Sequence, residues 1–160
     1  MGTTTFTATK QWLDAGDKQG KRPKDDATIT FTLWRYSSNG DTAANAAQVT
    51  DAAGNFVTLT AKVGDVTKNN AIDLDALLDS QYPGLTLEKY DNDGYAYYYG
   101  IREESSFANY TTVYGSVADD GQTATDTAPN YTDKSGNPVS KDGWTRDTNV
   151  DRLIYNNGSI

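Results

Sequence analysis

The sequence predicts an all-β domain, and more specifically a β-sandwich with one short helix and a long polar insertion. Thr, Tyr and Val favour pleated, half-buried surfaces, and 11 of the 160 residues are Tyr. Several segments alternate apolar and polar residues with the two-residue period of a strand. Turn dipeptides such as Asn39-Gly40 and Asp93-Gly94 lie between these segments. Because this length suits one domain with one core, we predict a single domain over residues 1–160.

Each element has its own signal in the chain. The strand candidates alternate in hydrophobicity or are strongly apolar, and in chain order they are 3–12, 28–36, 55–63, 95–103, 113–117 and 151–155. The segment 71–80 instead spaces its Ile and Leu residues as a helix does, and Tyr82-Pro83-Gly84 ends that pattern. Residues 118–148 are polar and rich in Asp, Thr, Asn and Gly, so we predict an insertion there, either a surface loop or a hairpin.

The composition excludes several classes of function. The formal net charge is −8, whereas nucleic acids and anionic membranes require a basic protein face, so we predict neither as a partner. The chain has no Cys and no His, which excludes disulfides, Cys/His zinc sites and catalysis by Ser-His-Asp or Cys-His groups. No apolar stretch is long enough to span a bilayer, and no signal peptide is recognisable. If the protein is exported, we expect its targeting segments to lie outside this sequence.

Three polar residues fall on the apolar faces of predicted strands. Lys10 has the same parity as Trp12, so a strand places both on one face. Glu103 likewise shares a face with Ile101, and Asn156 has the parity of the apolar residue two positions before it. One interpretation is structural: the lysine reaches water from a strand end, the glutamate lies at a rim, and the asparagine belongs to a turn.

The other interpretation is chemical. Burial disfavours the charged form of a lysine, and a neutral amine is a nucleophile. A buried glutamate that holds a proton can polarise an asparagine carboxamide and carry protons to the leaving group. Attack of Lys10 on Asn156 would then release ammonia and leave an amide between the two side chains, while the exclusion of water prevents hydrolysis. Lys10, Glu103 and Asn156 are thus the residue types that a self-made isopeptide crosslink requires.

Several blocks resemble the collagen-adhesin B-type (CnaB-like) domains of Gram-positive surface proteins. Thr9-Lys10-Gln-Trp12-Leu-Asp14, followed by Gly20-Lys-Arg22-Pro23, is similar to the Lys-x-Trp-x-Asp strand and Gly-Lys-Arg-Pro loop that open those domains. The family's later blocks have counterparts in Leu87 to Gly94, Tyr99-Gly-Ile101-Arg-Glu103, Phe107 to Thr112 and Leu153-Ile154-Tyr-Asn156. The resemblance covers residues 3–36, 85–112 and 152–157. The helical stretch 72–80 and the insertion depart from a minimal domain of this kind.

The resemblance implies an Ig-like (CnaB-type) β-sandwich with an intramolecular isopeptide bond. In the family, the lysine of the first block bonds to the asparagine of the last, and the glutamate of the middle strand assists; by motif these are Lys10, Asn156 and Glu103. Asn157 is a rival partner, because the residues that usually follow the closing asparagine are replaced by Asn157-Gly158. The implied protein is an extracellular, cell-wall-anchored adhesin or pilin, whose partners are neighbouring domains of the same protein. We expect single-turnover self-crosslinking, with no cofactor and no turnover enzyme.

Other functions remain open on the sequence alone. The same fold could bind a host extracellular-matrix protein or a glycan through the 118–148 insertion and the outward aromatics Trp34, Tyr36 and Trp144. A sugar-cleaving enzyme is a third hypothesis, although no two carboxylates are fixed across a cleft by the sequence. The run from Asp91 to Gly94 is similar to a calcium loop but lacks the first and the bidentate ligands, so we predict a turn and no metal site there.

Overall fold

The computed structural model describes residues 2–5, 8–37, 47–66, 71–117, 124–126, 131–132, 138–139 and 152–158, and only the backbone at 36, at 98 and from 111 onward. These residues form an all-β fold with one short helix, as predicted. The strands are β1 (Thr3–Thr4), β2 (Ala8–Leu13), β3 (Thr28–Ser37), β4 (Ala47–Gln48), β5 (Thr58–Lys62), β6 (Ala71–Asp73), β7 (Leu87–Glu88), β8 (Tyr97–Glu103), β9 (Tyr110–Val117), β10 (Ala124–Asp126), β11 (Tyr131–Thr132), β12 (Pro138–Val139) and β13 (Arg152–Gly158). The helix is α1 (Leu74–Gln81).

Two larger sheets carry most of these strands. The first has the order β10-β9-β13-β2-β6, in which β13 runs parallel to β2 and antiparallel to β9. The second is built on β3, which pairs with β8 along one edge and with β5 and β4 along the other. Two pairs of two-residue strands, β1 with β7 and β11 with β12, lie outside these two sheets. The first and last long strands of the chain are therefore neighbours in one sheet.

One core lies between residues of the two larger sheets. The second sheet contributes Ile29, Phe31 and Leu33 from β3, each fully buried, as the alternation in 28–36 predicts. The first sheet contributes Trp12 and Ile72 to the same cluster. The second face of β2 is covered as well, because every residue from Lys10 to Leu13 is buried. This arrangement puts β2 well inside the molecule, between β13 and β6.

The helix begins three residues later than the helical spacing alone predicts. Residues 71–73 pair with β2 instead, and Asp73 accepts a hydrogen bond from the Ala76 N–H, which caps the helix. At the other end, the Gln81 side chain bonds both the N–H and the C=O of Thr60, and the Tyr82 hydroxyl does the same at Thr58. Side chains at the end of the helix thus bond the backbone N–H and C=O groups at the open edge of β5. Another chain could otherwise pair with these groups.

The later strands differ from the sequence expectations in extent. The predicted 113–117 strand begins at residue 110, and the predicted 151–155 strand extends to residue 158. Asn156, Asn157 and Gly158 are consequently strand residues and not a turn. Within the predicted 118–148 insertion, β10 continues the first sheet by antiparallel pairing with β9, and β11 pairs with β12. The rest of that insertion lies outside the described residues.

Candidate functional site

Lys10 is in the middle of β2, and its side chain is fully buried. Its Nζ lies 4.3 Å from the centroid of the Trp12 ring. At this distance the face of the ring attracts a cation. Register explains the burial, because Lys10 shares the face of Ala8 and Trp12 that turns toward the core. The expectation that Lys10 points inward is confirmed.

Glu103 meets Lys10 from the opposite sheet. It is the last residue of β8, it pairs with Phe31 of β3, and its side chain is fully buried. Its Oε1 lies 2.9 Å from Lys10 Nζ, so the ion pair joins the two larger sheets through the core. The neighbours Arg102 and Glu104 are exposed, as strand parity predicts.

Burial lowers the pKa of Lys10 to about 8, against the opposing effect of Glu103. Arg22 lowers this pKa further and Asp14 raises it, both with smaller effects. At neutral pH the neutral amine is then a minor form, on the order of a tenth of the population. Transfer of one proton over the 2.9 Å contact converts the ion pair with Glu103 into a neutral amine and a carboxylic acid. The pair is thus suited both to store a proton and to expose a nucleophile.

The last strand brings residue 156 to the same face as Lys10. In the parallel pairing of β13 with β2, Ile154 is opposite Lys10, and Asn156 is opposite Trp12. Paired positions share a face of a sheet, and diagonal neighbours two residues apart lie about 7–8 Å apart, within reach of long side chains. Asn157 is opposite Leu13, so its position belongs to the other face.

A second cluster closes the end of β2 beside Lys10. The carboxylate of Asp14 accepts two bonds from the Arg22 guanidinium, one of them from Nε at 2.9 Å, and a third from the Tyr110 hydroxyl at 2.8 Å. Although burial opposes ionisation, these bonds lower the pKa of Asp14. The Arg22 guanidinium carbon lies 5.2 Å from the Trp12 ring centroid. Within the loop that follows β2, Asp17 accepts a hydrogen bond from the Arg22 backbone N–H at 2.9 Å. This bond helps to hold Arg22 near Trp12.

Aromatic rings complete the surroundings of Trp12. Tyr110 meets its ring edge-on at 5.0 Å, and Phe107 lies at 5.9 Å. In the sequence, Trp12 and these two aromatic residues belong to separate motif blocks, and no pattern predicts a role for them. For the Asp14–Arg22 pair the sequence does contain a signal. An acidic and a basic residue at the two ends of one short loop can pair with each other.

The remaining candidates do not form a second site in the part of the chain that the structure describes. The Asp91 carboxylate accepts the N–H groups of Asp93 and Tyr95, which is a turn, and the described residues hold no group of three metal-ligating side chains. Trp34 is half-buried and donates to the Thr32 hydroxyl at 2.8 Å. The Tyr36 side chain and Trp144 lie outside what is described. Within the described ranges, no helix is both long and apolar enough to cross a membrane.

Comparison of the chain with protein-family models, with curated proteins and with solved structures found no match.

Proposed function

We propose that this chain is a structural stalk module of a cell-wall-anchored surface adhesin or pilin, stabilised by an isopeptide bond that it forms itself between Lys10 and Asn156. The observation that carries the proposal is the fully buried contact of 2.9 Å between Lys10 and Glu103. A buried ion pair of this kind often adds little stability over apolar residues of similar size, so a chemical role gives a reason for its presence. The finer fold that accompanies the proposal is an Ig-like, CnaB-type β-sandwich.

The reaction balances with the groups at hand. Glu103 takes the proton of the Lys10 ammonium, and the free amine attacks Cγ of the Asn156 carboxamide. The C–N bond to the carboxamide nitrogen breaks, Glu103 delivers a proton to that nitrogen, and ammonia leaves. The product is one amide between the two side chains. The attacking nitrogen keeps one hydrogen and gives its other proton to Glu103, which passes it to the released ammonia, so Glu103 ends as a carboxylate and the by-product leaves as ammonium. The reaction occurs once in each molecule.

The backbone register supports Asn156 over Asn157 as the partner. Residue 156 is a diagonal neighbour of Lys10 on the same face, whereas residue 157 belongs to the opposite face of the sheet. Strand parity in the sequence favours the same residue. A bond from Lys10 to residue 157 would require the last strand to shift by one position.

The position of the bond suits a protein under tension. Because β2 and β13 are parallel neighbours, a pull on the two ends of the chain shears one strand along the other. A covalent link between residues 10 and 156 would carry that load directly, and the chain between them would not extend. The parallel contact of the first and last long strands is therefore the mechanical reason for placing a crosslink there.

Intact-mass measurement on a set of variants tests the proposal. Wild-type protein is expected to weigh less than its sequence mass by one ammonia, and Lys10→Ala, Glu103→Ala and Asn156→Ala are each expected to have the full mass. Asn157→Ala is the matched control and is expected to lose ammonia normally. A wild-type protein of full sequence mass would refute the crosslink.

A further inference from the structure

The indole N–H of Trp12 is a buried donor for which the described residues supply no acceptor. Trp12 is 1% exposed, and among the described residues its Nε1 has no hydrogen-bond partner. An indole nitrogen can only donate, and buried donors in folded proteins are almost always paired. A buried donor of this kind is an exception that calls for an explanation, and a catalytic role is one such explanation.

The neighbouring polar groups are already committed elsewhere. Arg22 and Tyr110, which surround the Trp12 ring, both donate to Asp14. Lys10 is paired with Glu103. Among the described residues of this cluster, Trp12 Nε1 is the buried side-chain nitrogen for which no acceptor is found.

Trp12 is also one of the two residues directly paired with the proposed electrophile, the other being Thr112 of β9. It pairs directly with Asn156 across the parallel strands, and such strands lie about 4.8 Å apart. The proposed nucleophile lies against the ring of Trp12, with Lys10 Nζ 4.3 Å from the ring centroid. The ring of Trp12 therefore contacts the proposed nucleophile, and its backbone position is paired with that of the proposed electrophile.

We propose that Trp12 is a catalytic residue, whose indole N–H donates to the carboxamide oxygen of Asn156 and stabilises the negative charge that forms there. The inference rests on the proposed function. As the Lys10 nitrogen bonds to Cγ, the C=O electron pair moves to the oxygen, and a donor at that oxygen lowers the barrier. When ammonia leaves, the C=O bond is restored, and the same N–H stays bonded to the oxygen of the new amide.

A single-atom change at Trp12 tests the proposal. The chain is assembled by chemical ligation under denaturing conditions, so that no crosslink exists before dilution starts folding. Trp12→3-benzothienylalanine replaces the N–H by sulfur and keeps the shape of the ring. The same replacement at Trp34, whose N–H bonds Thr32 outside the Lys10 pocket, is the matched control. The readout is the rate of ammonia loss by intact mass, with circular dichroism to follow folding.

The control is expected to react at the wild-type rate, and the variant at residue 12 about 100-fold more slowly or worse, which is the usual effect of losing one such donor. A variant at residue 12 that folds and reacts within threefold of wild type would overturn the proposal. If wild type itself loses no ammonia, the proposed function fails instead, so the two failures are distinguishable.

Infrared spectroscopy gives a second readout that does not depend on rate or on packing. A ¹³C=¹⁸O label in the Asn156 side chain isolates the stretching band of the new amide. Replacement of the Trp12 N–H by sulfur is expected to shift this band to higher frequency, because the carbonyl loses a hydrogen bond. A band at the same frequency in both crosslinked proteins would also overturn the proposal.

Discussion

Removal of the proposed bond partner should cost the fold much of its stability. In Asn156→Ala no crosslink can form, and the unfolded chain regains the freedom that a bond between residues 10 and 156 denies it. By the loop-entropy relation for covalent crosslinks, closing a loop of this length stabilises by about 5 kcal/mol. For a domain of this size that corresponds to a fall in Tm of roughly 10–20 °C.

The assay is thermal unfolding followed by circular dichroism, together with intact mass on the same samples. Asn157→Ala is the matched control, since its position pairs with Leu13 on the other face of the sheet. It is expected to keep both the ammonia loss and nearly the wild-type Tm. The reasoning is refuted if Asn156→Ala unfolds within about 3 °C of wild type, or if Asn157→Ala alone has the large loss.

Three further predictions concern single groups around the site. The rate of crosslinking should be level below pH 8 and fall above it. The reason is that the Lys10–Glu103 pair needs one proton to react, and Lys10 loses that proton near pH 8. A rate that rises through pH 8, measured by intact mass on samples quenched at successive times, would contradict this. Arg22→Ala should lower the free energy of unfolding by about 2 kcal/mol or more and slow the crosslink. The Asp14 carboxylate then loses its counter-charge, and the Trp12 ring is uncovered. In urea titrations, Arg22→Lys should recover only part of the lost stability. Burial and a hydrogen bond to Asp73 raise the pKa of Asp75 to about 6, so the charge of Asp75 opposes folding above that pH. Asp75→Asn should therefore raise Tm at pH 8 and lose this advantage near pH 5. An equal change in Tm at both pH values would exclude the Asp73–Asp75 pair as the cause.

The alternation of the chain was sufficient to predict much of the site. A two-residue period was enough to assign Lys10 and Glu103 to buried faces, since each strand has apolar residues at the same parity. Strand parity could not show that the two side chains meet, because their contact spans two sheets and 93 positions of sequence. The burial of Gln11 was missed for a related reason: tertiary packing covers both faces of β2, and a strand period reports only one.

Local signals also competed at the ends of elements. The run Asn156-Asn157-Gly158 is typical of a turn, yet it stays extended because Asn156 and Asn157 pair with strands on both sides and Gly158 pairs with β9. The helical spacing in 71–80 was correct from Leu74 onward, while the residues before it pair with β2 because Asp73 supplies the cap. The Asp14–Arg22 pair depends on the path of a loop, and periodicity contains no information about loops.

Peptide mapping of the wild-type protein tests the central claim most directly. Trypsin cleaves after Lys and Arg, and a lysine that carries an amide on its side chain resists it. We predict one branched peptide in which residues 1–18, uncleaved at Lys10, are joined to residues 153–160, with fragment ions that assign the branch to Asn156. Recovery of residues 1–10 and 153–160 as separate linear peptides of full mass would contradict the account.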